Sequence, residues 1–351
     1  MLQIRRQFAK QSLARFYSTQ RQKILFLDNV VDAKAEFEQL KKKADVVTLK
    51  EGTDRESFLK DLKTNYKDIN AIFRTFISVK KTGRFDEELA KALPDSCKAV
   101  CHYGAGYDQI DVPFFSERGI QVSNVQSMAD ESTALTNLYL MIGTLRNFGD
   151  GALNLQKGQW LKGVALGNDI SGKTLGILGM GGIGREIRDY VAPLGFNKVL
   201  YYNRNRLAPE LEKDSIYCES PEDLFSKADV ISINVPLNAA TKHLVNAESI
   251  SKMKDGVIIV NTARGPVCDE KALVDGLNSG KIGGVGLDVF EREPAIEEGL
   301  LKHPRTLLLP HMGTWSHETH YKMEKAVLDN LESFVDTGKV VTIVPEQKGK
   351  F

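Results

Sequence analysis

The stretch LGILGMGGIGREI limits the fold more than any other part of the chain. It places Gly179, Gly181 and Gly184 in the spacing Gly-x-Gly-x-x-Gly, directly after the strand-like run Thr174–Leu178 and before an amphipathic helical pattern. Among 29 glycines the spacing alone says little. Its position between strand and helix says more. Gly179 permits a tight turn, Gly181 lets backbone approach a pyrophosphate, and Gly184 lets helix and strand pack closely. The helix N-terminus, with Gly182 and Ile183 in its first turn, then offers unbonded N–H groups and a partial positive charge to an anion. These residues are the candidate dinucleotide cradle.

The next strand, in VLYYNRNRL, ends where an acid would hold the adenosine ribose hydroxyls of NAD. Here that place carries Asn203, Arg204 and Arg206. A carboxylate would repel a 2′-phosphate, whereas an amide tolerates it and a guanidinium can grip it with paired charge-assisted bonds. The reading is NADPH in preference to NADH, with solvated loop arginines as the alternative. Pro236, Thr262 and Asp288, near the ends of later strands, are further candidate cofactor contacts. For Asp288 a strand-end cap is the competing role.

Strands and helices alternate throughout. KILFLD, DVVTLK, AIFRTF, KAVCHYG and IQVSNV form one series, and KTLGILG, KVLYYNR, DVISINVP, GVIIVNTA, GGVGLDV and TLLLPH a second. Such alternation predicts parallel βα units. At 351 residues the chain accommodates two α/β domains. The expected fold is two Rossmann-like parallel-sheet domains, with the cofactor domain (126–315) inserted in the chain of the substrate domain (21–125 plus 316–351). A long helix from about Met128 to Asn147 bridges them in this reading, and a last helix over Ser316–Thr337 returns to the first domain.

Net charge is +1, which gives no reason to expect a nucleic-acid surface, and no apolar run approaches the roughly 18 residues of a membrane span. Cys97, Cys101, Cys218 and Cys268 form no C-x-x-C pair and read as reduced, buried thiols. His317 and His320 are spaced i,i+3 rather than the i,i+4 of a zinc helix, so no metal site is read.

Three ionisable residues lie just beyond separate strands: Arg264 in VNTARGPVCDE, Glu293 in GLDVFEREP and His311 in LLLPHMGTW. Ligands of open parallel sheets bind outside the carboxyl ends of strands, so three such groups together suit chemistry better than structure. With GAGYDQID and the glycine turn, these stretches resemble the D-2-hydroxyacid dehydrogenase family, over nearly the whole chain after its first residues. Ser132–Ala134, Leu145–Phe148 and the tryptophan after HMGT resemble its fungal glyoxylate/hydroxypyruvate reductase branch.

The resemblance implies Arg264 as substrate-binding residue, His311 as acid/base, Glu293 as its partner, and backbone amides of Gly104, Ala105 and Gly106 on the substrate carboxylate. It also implies a homodimer. Arg74, ending AIFR, reads as a substrate contact or a surface salt bridge. Trp315 reads as an apolar wall of the substrate pocket or as core packing at a helix start. The expected activity is reduction of glyoxylate or hydroxypyruvate. The alternatives are a broader dehydrogenase of bulkier 2-oxo acids and, in another class, a nucleotide-sensing corepressor-like protein.

Residues 1–20 differ from the rest. They carry Arg5, Arg6, Lys10 and Arg15, no acid precedes Asp28, and RFYS resembles a matrix-protease cleavage site after Tyr17. This composition reads as a mitochondrial transit peptide, against a basic tail on a cytoplasmic protein.

Overall fold

The structure, a computed structural model, describes residues 21–351. The targeting reading of residues 1–20 lies outside the described residues. The chain divides into two compact units. One holds the residues up to Gln126 together with His320–Phe351, and the other holds Ser127–Thr319.

The first unit is built on a five-stranded sheet in the order β2-β1-β3-β4-β5, with β1 Lys23–Phe26, β2 Asp45–Thr48, β3 Ala71–Thr75, β4 Ala99–Tyr103 and β5 Gln121–Ser123. Every pairing is parallel. Parallel strands are covered on both faces, hence the continuous apolar runs ILF, AIF and AVC. Leu25, Ile72, Val100 and Val122 form one core with Phe58, Phe85 and Phe115. Each fully buried Leu, Ile or Phe contributes about 1.5–3 kcal/mol. The C-terminal helix His317–Thr337 ties into this unit through Glu324, whose carboxylate accepts the N–H groups of Val31, Asp32 and Ala33 at 2.7–3.1 Å.

The second unit carries seven parallel strands in the order β12-β11-β10-β9-β6-β7-β8. These are β6 Thr174–Leu178, β7 Lys198–Tyr202, β8 Ile216–Tyr217, β9 Val230–Ile233, β10 Val257–Asn261, β11 Ile282–Leu287 and β12 Thr306–Leu308. The two-residue β8 has no counterpart among the expected strands, being too short to show a period. The order reverses between β6 and β9, and the crevice beyond such a reversal is where open α/β sheets bind ligands.

The long helix, read as a bridge, is Asp130–Arg146. It belongs wholly to the second, where Leu140, Met141 and Leu145 join Ile177, Val230 and Val260 in the core. Asn137, the polar break in that apolar helix, is fully buried. Its amide donates to Thr262 Oγ1 and accepts from Ser232 Oγ, both at 3.0 Å.

Candidate functional site

In the second unit the glycine turn sits at the sheet reversal. Gly179 follows β6 with φ +99°, and a Cβ there would meet the carbonyl of Asn234, just past β9, at 2.8–2.9 Å. A Cβ on Gly184 would meet Gly179 O at 2.4 Å, and one on Gly182 would meet the Asp130 carboxylate. Gly181 is different. A Cβ there would meet nothing within 4 Å, so no packing within the protein requires glycine at that position. Gly181 is also the N-cap of the helix Gly182–Val191, and no side chain caps that terminus. An open approach to unbonded helix N–H groups fits the pyrophosphate of a dinucleotide. Ile183 lies partly buried in the helix's first turn.

The strand end at 203–206 is only partly as expected. Asn203 Oδ1 accepts the N–H of Met180 at 2.7 Å, which ties the end of β7 to the glycine turn and directs the amide NH₂ elsewhere. Arg204 is exposed and has no hydrogen bond or ion pair among the described residues. Arg206 is exposed but is not a free phosphate grip. Its Nε and Nη2 meet the Glu212 carboxylate at 2.8 and 2.7 Å, and its guanidinium lies 5.7 Å from the Tyr217 ring centre. Glu212 also accepts the Tyr201 hydroxyl at 2.6 Å. These bonds, the Arg206 bond first, hold its carboxyl down at about 2, so the pair is charged at neutral pH.

Pro236 is exposed beyond β9. Thr262 turns its hydroxyl into the buried Asn137 network, so a side-chain role toward cofactor is not what the structure shows.

Asp288 is likewise corrected. It is buried, and its two oxygens accept the N–H groups of Met312 (2.7 Å) and Gly313 (2.8 Å). Its backbone carbonyl accepts His311 N at 2.7 Å. Burial raises its carboxyl above the ordinary value, although the Met312 bond, the nearby His311 and the Gly313 bond pull it down. Asp288 therefore caps the strand and shapes the His311 loop rather than facing a ligand. That loop holds His311 at φ +52°, a left-handed conformation costing about 1–3 kcal/mol in a non-glycine residue. Such strain persists where surrounding bonds over-determine the backbone, and it is concentrated at functional sites.

His311 Nδ1 lies 2.8 Å from Glu293 Oε2, with the two side chains 34% and 27% exposed. The other Glu293 oxygen accepts Phe290 N at 3.0 Å. Burial would raise the Glu293 carboxyl, but the hydrogen bond and charge of His311, the Phe290 amide and the Arg264 guanidinium outweigh it, and the net direction is down. The carboxylate thus accepts the Nδ1–H hydrogen bond and leaves Nε2 directed away from the pair. Arg264 follows β10 on a loop whose Gly265 permits no side chain, because a Cβ would sit 1.9 Å from Phe290 C. This contact sets the Arg264 loop against the Phe290–Glu293 loop. Arg264, Glu293 and His311, from three strand ends, form one constellation.

In the first unit the loop Gly104–Ala105–Gly106 follows β4. All three of its carbonyls are taken: Gly104 O by Val125 N (3.2 Å), Ala105 O by Asn124 Nδ2 (2.7 Å) and Gly106 O by His102 Nε2 (3.0 Å). Among the described residues the N–H groups of Ala105 and Gly106 have no acceptor, which leaves them open to an anion. Arg74 is neither a surface salt bridge nor an open substrate contact. It is fully buried, its Nη2 donates to Gln109 Oε1 at 2.6 Å, and its guanidinium lies 4.6 Å from the Phe85 ring centre. Burial pushes it down to about 10, still cationic at neutral pH, with Asp28 and Asp108 opposing. Trp315 is 71% exposed, so packing in a core at the helix start is excluded.

Among the described residues no group of three His, Cys, Asp or Glu side chains could hold a metal, and no helix is long and apolar enough to cross a membrane. All four cysteines are buried and unbridged. Sequence reasoning missed His102, Gln109, Asn124 and Glu212. The only signal was polar residues in or beside apolar strands.

Residues 138–313 match the model of the D-isomer specific 2-hydroxyacid dehydrogenase NAD-binding domain. The chain is 52% identical over 316 residues to glyoxylate reductase 1 of Saccharomyces cerevisiae, covering 88% of this chain and 90% of that one. It is 46% identical over 328 residues to 4-methyl-2-oxopentanoate reductase A of Aspergillus oryzae, covering 93% and 99%. The crystal structure of a glyoxylate reductase from Paecilomyes thermophila superposes with a TM-score of 0.90 at 48% identity, covering 93% and 99%. The chain belongs to the D-isomer specific 2-hydroxyacid dehydrogenase family. It is therefore an oxidoreductase of the CH–OH group that works with a nicotinamide nucleotide.

Proposed function

We propose that this protein reduces glyoxylate and hydroxypyruvate to the corresponding 2-hydroxy acids, with NADPH preferred. The observation that carries the reading is the His311–Glu293 pair at 2.8 Å with Arg264 beside it. Hydride from the reduced nicotinamide is the chemistry the cofactor supplies. Arg264 holds and polarises the carbonyl of the 2-oxo acid. Protonated His311 gives its Nε2 proton to the carbonyl oxygen as that oxygen becomes a hydroxyl, and Glu293 keeps the ring oriented. The N–H groups of Ala105 and Gly106 hold the substrate carboxylate. Similarity to the yeast and Paecilomyes glyoxylate reductases supports the small substrate. The Aspergillus relative, a 4-methyl-2-oxopentanoate reductase, favours a second reading with a bulkier acid, in which exposed Trp315 walls the pocket.

NADPH preference rests on Asn203 and Arg204 where an acid would stand. A complete acid/base set and reductases as relatives support catalysis over a nucleotide-sensing corepressor. The assembly proposed is a homodimer. Phe148, Leu153, Leu155, Trp160, Leu161 and Leu166 expose apolar area within one short stretch, an array that monomers rarely leave uncovered. Sedimentation would give the mass of two chains. The activity test is a panel of 2-oxo acids at fixed NADPH, followed by loss of reduced-nicotinamide absorbance. Turnover of glyoxylate and hydroxypyruvate well above 4-methyl-2-oxopentanoate is expected. The reverse order would favour the second reading, and no turnover of any 2-oxo acid would end both.

A further inference from the structure

The loop Gly104–Ala105–Gly106 does not hold its shape by its own backbone. Gly104 N reaches back only to His102 O, at 3.1 Å, Gly104 O accepts Val125 N, and the carbonyls of Ala105 and Gly106 are held by side chains. His102 is central among these. It lies on β4, only 1% exposed, in a strand otherwise apolar. A carbonyl can only accept, so His102 Nε2 carries a hydrogen and donates it to Gly106 O at 3.0 Å. The ring also fills the space that Gly104 leaves: a Cβ on Gly104 would meet His102 Nε2 at 2.5 Å. One imidazole therefore explains two features of the loop, the side-chain-free residue at 104 and the direction of the carbonyl at 106.

That direction has a consequence for anion binding. A peptide unit is planar, so turning a carbonyl one way turns the N–H of the same unit the other way. The Ala105 carbonyl, drawn to Asn124, shares its peptide unit with Gly106 N–H, and the Gly106 carbonyl, drawn to His102, shares its unit with Tyr107 N–H, so these two successive N–H groups are turned away from the anchors. Arg74, the register partner of His102 on neighbouring β3, braces the far end of the same loop through Gln109. Gln109 O in turn accepts Phe85 N at 3.0 Å. These two buried side chains thus anchor opposite ends of one loop from adjacent strands.

We propose that His102 is a positioning residue that sets the carboxylate preference of the substrate through its Nε2–H bond to Gly106. The inference rests on the reading above, in which the Ala105 and Gly106 amides hold a 2-oxo acid carboxylate, and adds to that set the Tyr107 N–H, which has no acceptor among the described residues. His102 touches neither substrate nor cofactor. It acts by holding the Gly106–Tyr107 peptide unit, so its loss weakens recognition of the carboxylate and leaves the reacting groups in place.

The experiment uses the full chain with NADPH and two substrates, glyoxylate and its methyl ester, which lacks the carboxylate charge. His102→Leu keeps apolar volume and removes the donor; His102→Asn is too short to reach Gly106; His102→Gln places an amide N–H near the original Nε2. In the Leu and Asn variants, KM for glyoxylate rises about tenfold or more, the worth of one hydrogen bond that preorganises a site. KM for NADPH, and kcat/KM for the ester, remain near those of the parent, and the Gln variant recovers most of the lost affinity. A general structural lesion would depress acid and ester alike, and that result overturns the proposal, as does an unchanged glyoxylate KM in whichever donor-less variant folds. If the parent itself reduces no 2-oxo acid, it is the functional reading that fails. If the parent is active and discriminates against the ester but the variants discriminate equally, only the role of His102 fails.

Discussion

Glu212 grips Arg206 at two points, 2.8 and 2.7 Å, and is itself anchored by the buried Tyr201 hydroxyl. Two cations therefore stand at the end of β7, and one is already neutralised. Arg204 is the one left to meet a 2′-phosphate. Arg204→Gln is expected to lower kcat/KM for NADPH by about tenfold or more, the range of a charge-assisted bond, with little change for NADH. Arg206→Gln should leave the NADPH/NADH ratio nearly unchanged. Glu212→Gln, which loosens the grip on Arg206, should raise the ratio. Steady-state kinetics with both cofactors read all three.

Asn203→Asp is expected to move preference toward NADH. A carboxylate can still accept the Met180 N–H with one oxygen, so the turn keeps its shape. The second oxygen then stands where the amide NH₂ was, accepting ribose hydroxyls and repelling phosphate. The kcat/KM ratio for the two cofactors, in parent and variant, is the measurement. An unaltered ratio would remove Asn203 from the specificity set.

His311→Ala is expected to lower kcat by about 10² to 10⁴, the usual worth of a positioned acid–base group, while NADPH binding stays intact. Arg264→Ala should damage KM and kcat together, because the guanidinium both binds and polarises the substrate. Turnover by the His311 variant at the parent rate would dismiss the assignment.

The Glu293 carboxyl lies below its ordinary value of 4.5. A depressed acid contributes stability that is present above its unfolded value and lost as pH falls through its folded one. The parent should therefore melt above Glu293→Gln at neutral pH by a constant margin. That margin should close only below pH 4.5, as the carboxyl protonates. Thermal melts of both proteins across the acid range test this, and a margin that closes near neutrality would contradict it.

Residues 1 to about 17 are expected to direct import into the mitochondrial matrix and to be removed there, the estimate resting on transit-peptide composition. Replacing Arg5, Arg6, Lys10 and Arg15 by Gln should leave the protein in the cytosol. Fractionation with N-terminal sequencing decides. A cytosolic protein with Met1 intact would make the segment only an extension.

The alternation of strands, the glycine spacing and the three strand-end motifs were legible without coordinates, because each is local. Period and turn chemistry act over a few residues, and parallel strands buried on both faces leave continuous apolar runs such as VIIVN. The side-chain partners were not legible. Whether Arg206 is bound or open depended on Glu212, six residues on and across a turn. Whether Asp288 faces a ligand depended on two amides of a loop more than twenty residues later. Arg74 read as a substrate contact or a surface salt bridge and is buried, because burial follows from which strands become neighbours and not from residue type. The long helix showed the right apolar stripe, but its partners lay far along the chain, Asn137 meeting Ser232 on β9 and Thr262 just past β10. The sequence by itself determined the elements and the kind of ligand they can hold, since those follow from local backbone physics. Tertiary structure alone decided which charges are already spent on each other, since an ion pair depends on distance in space and leaves no period in the chain.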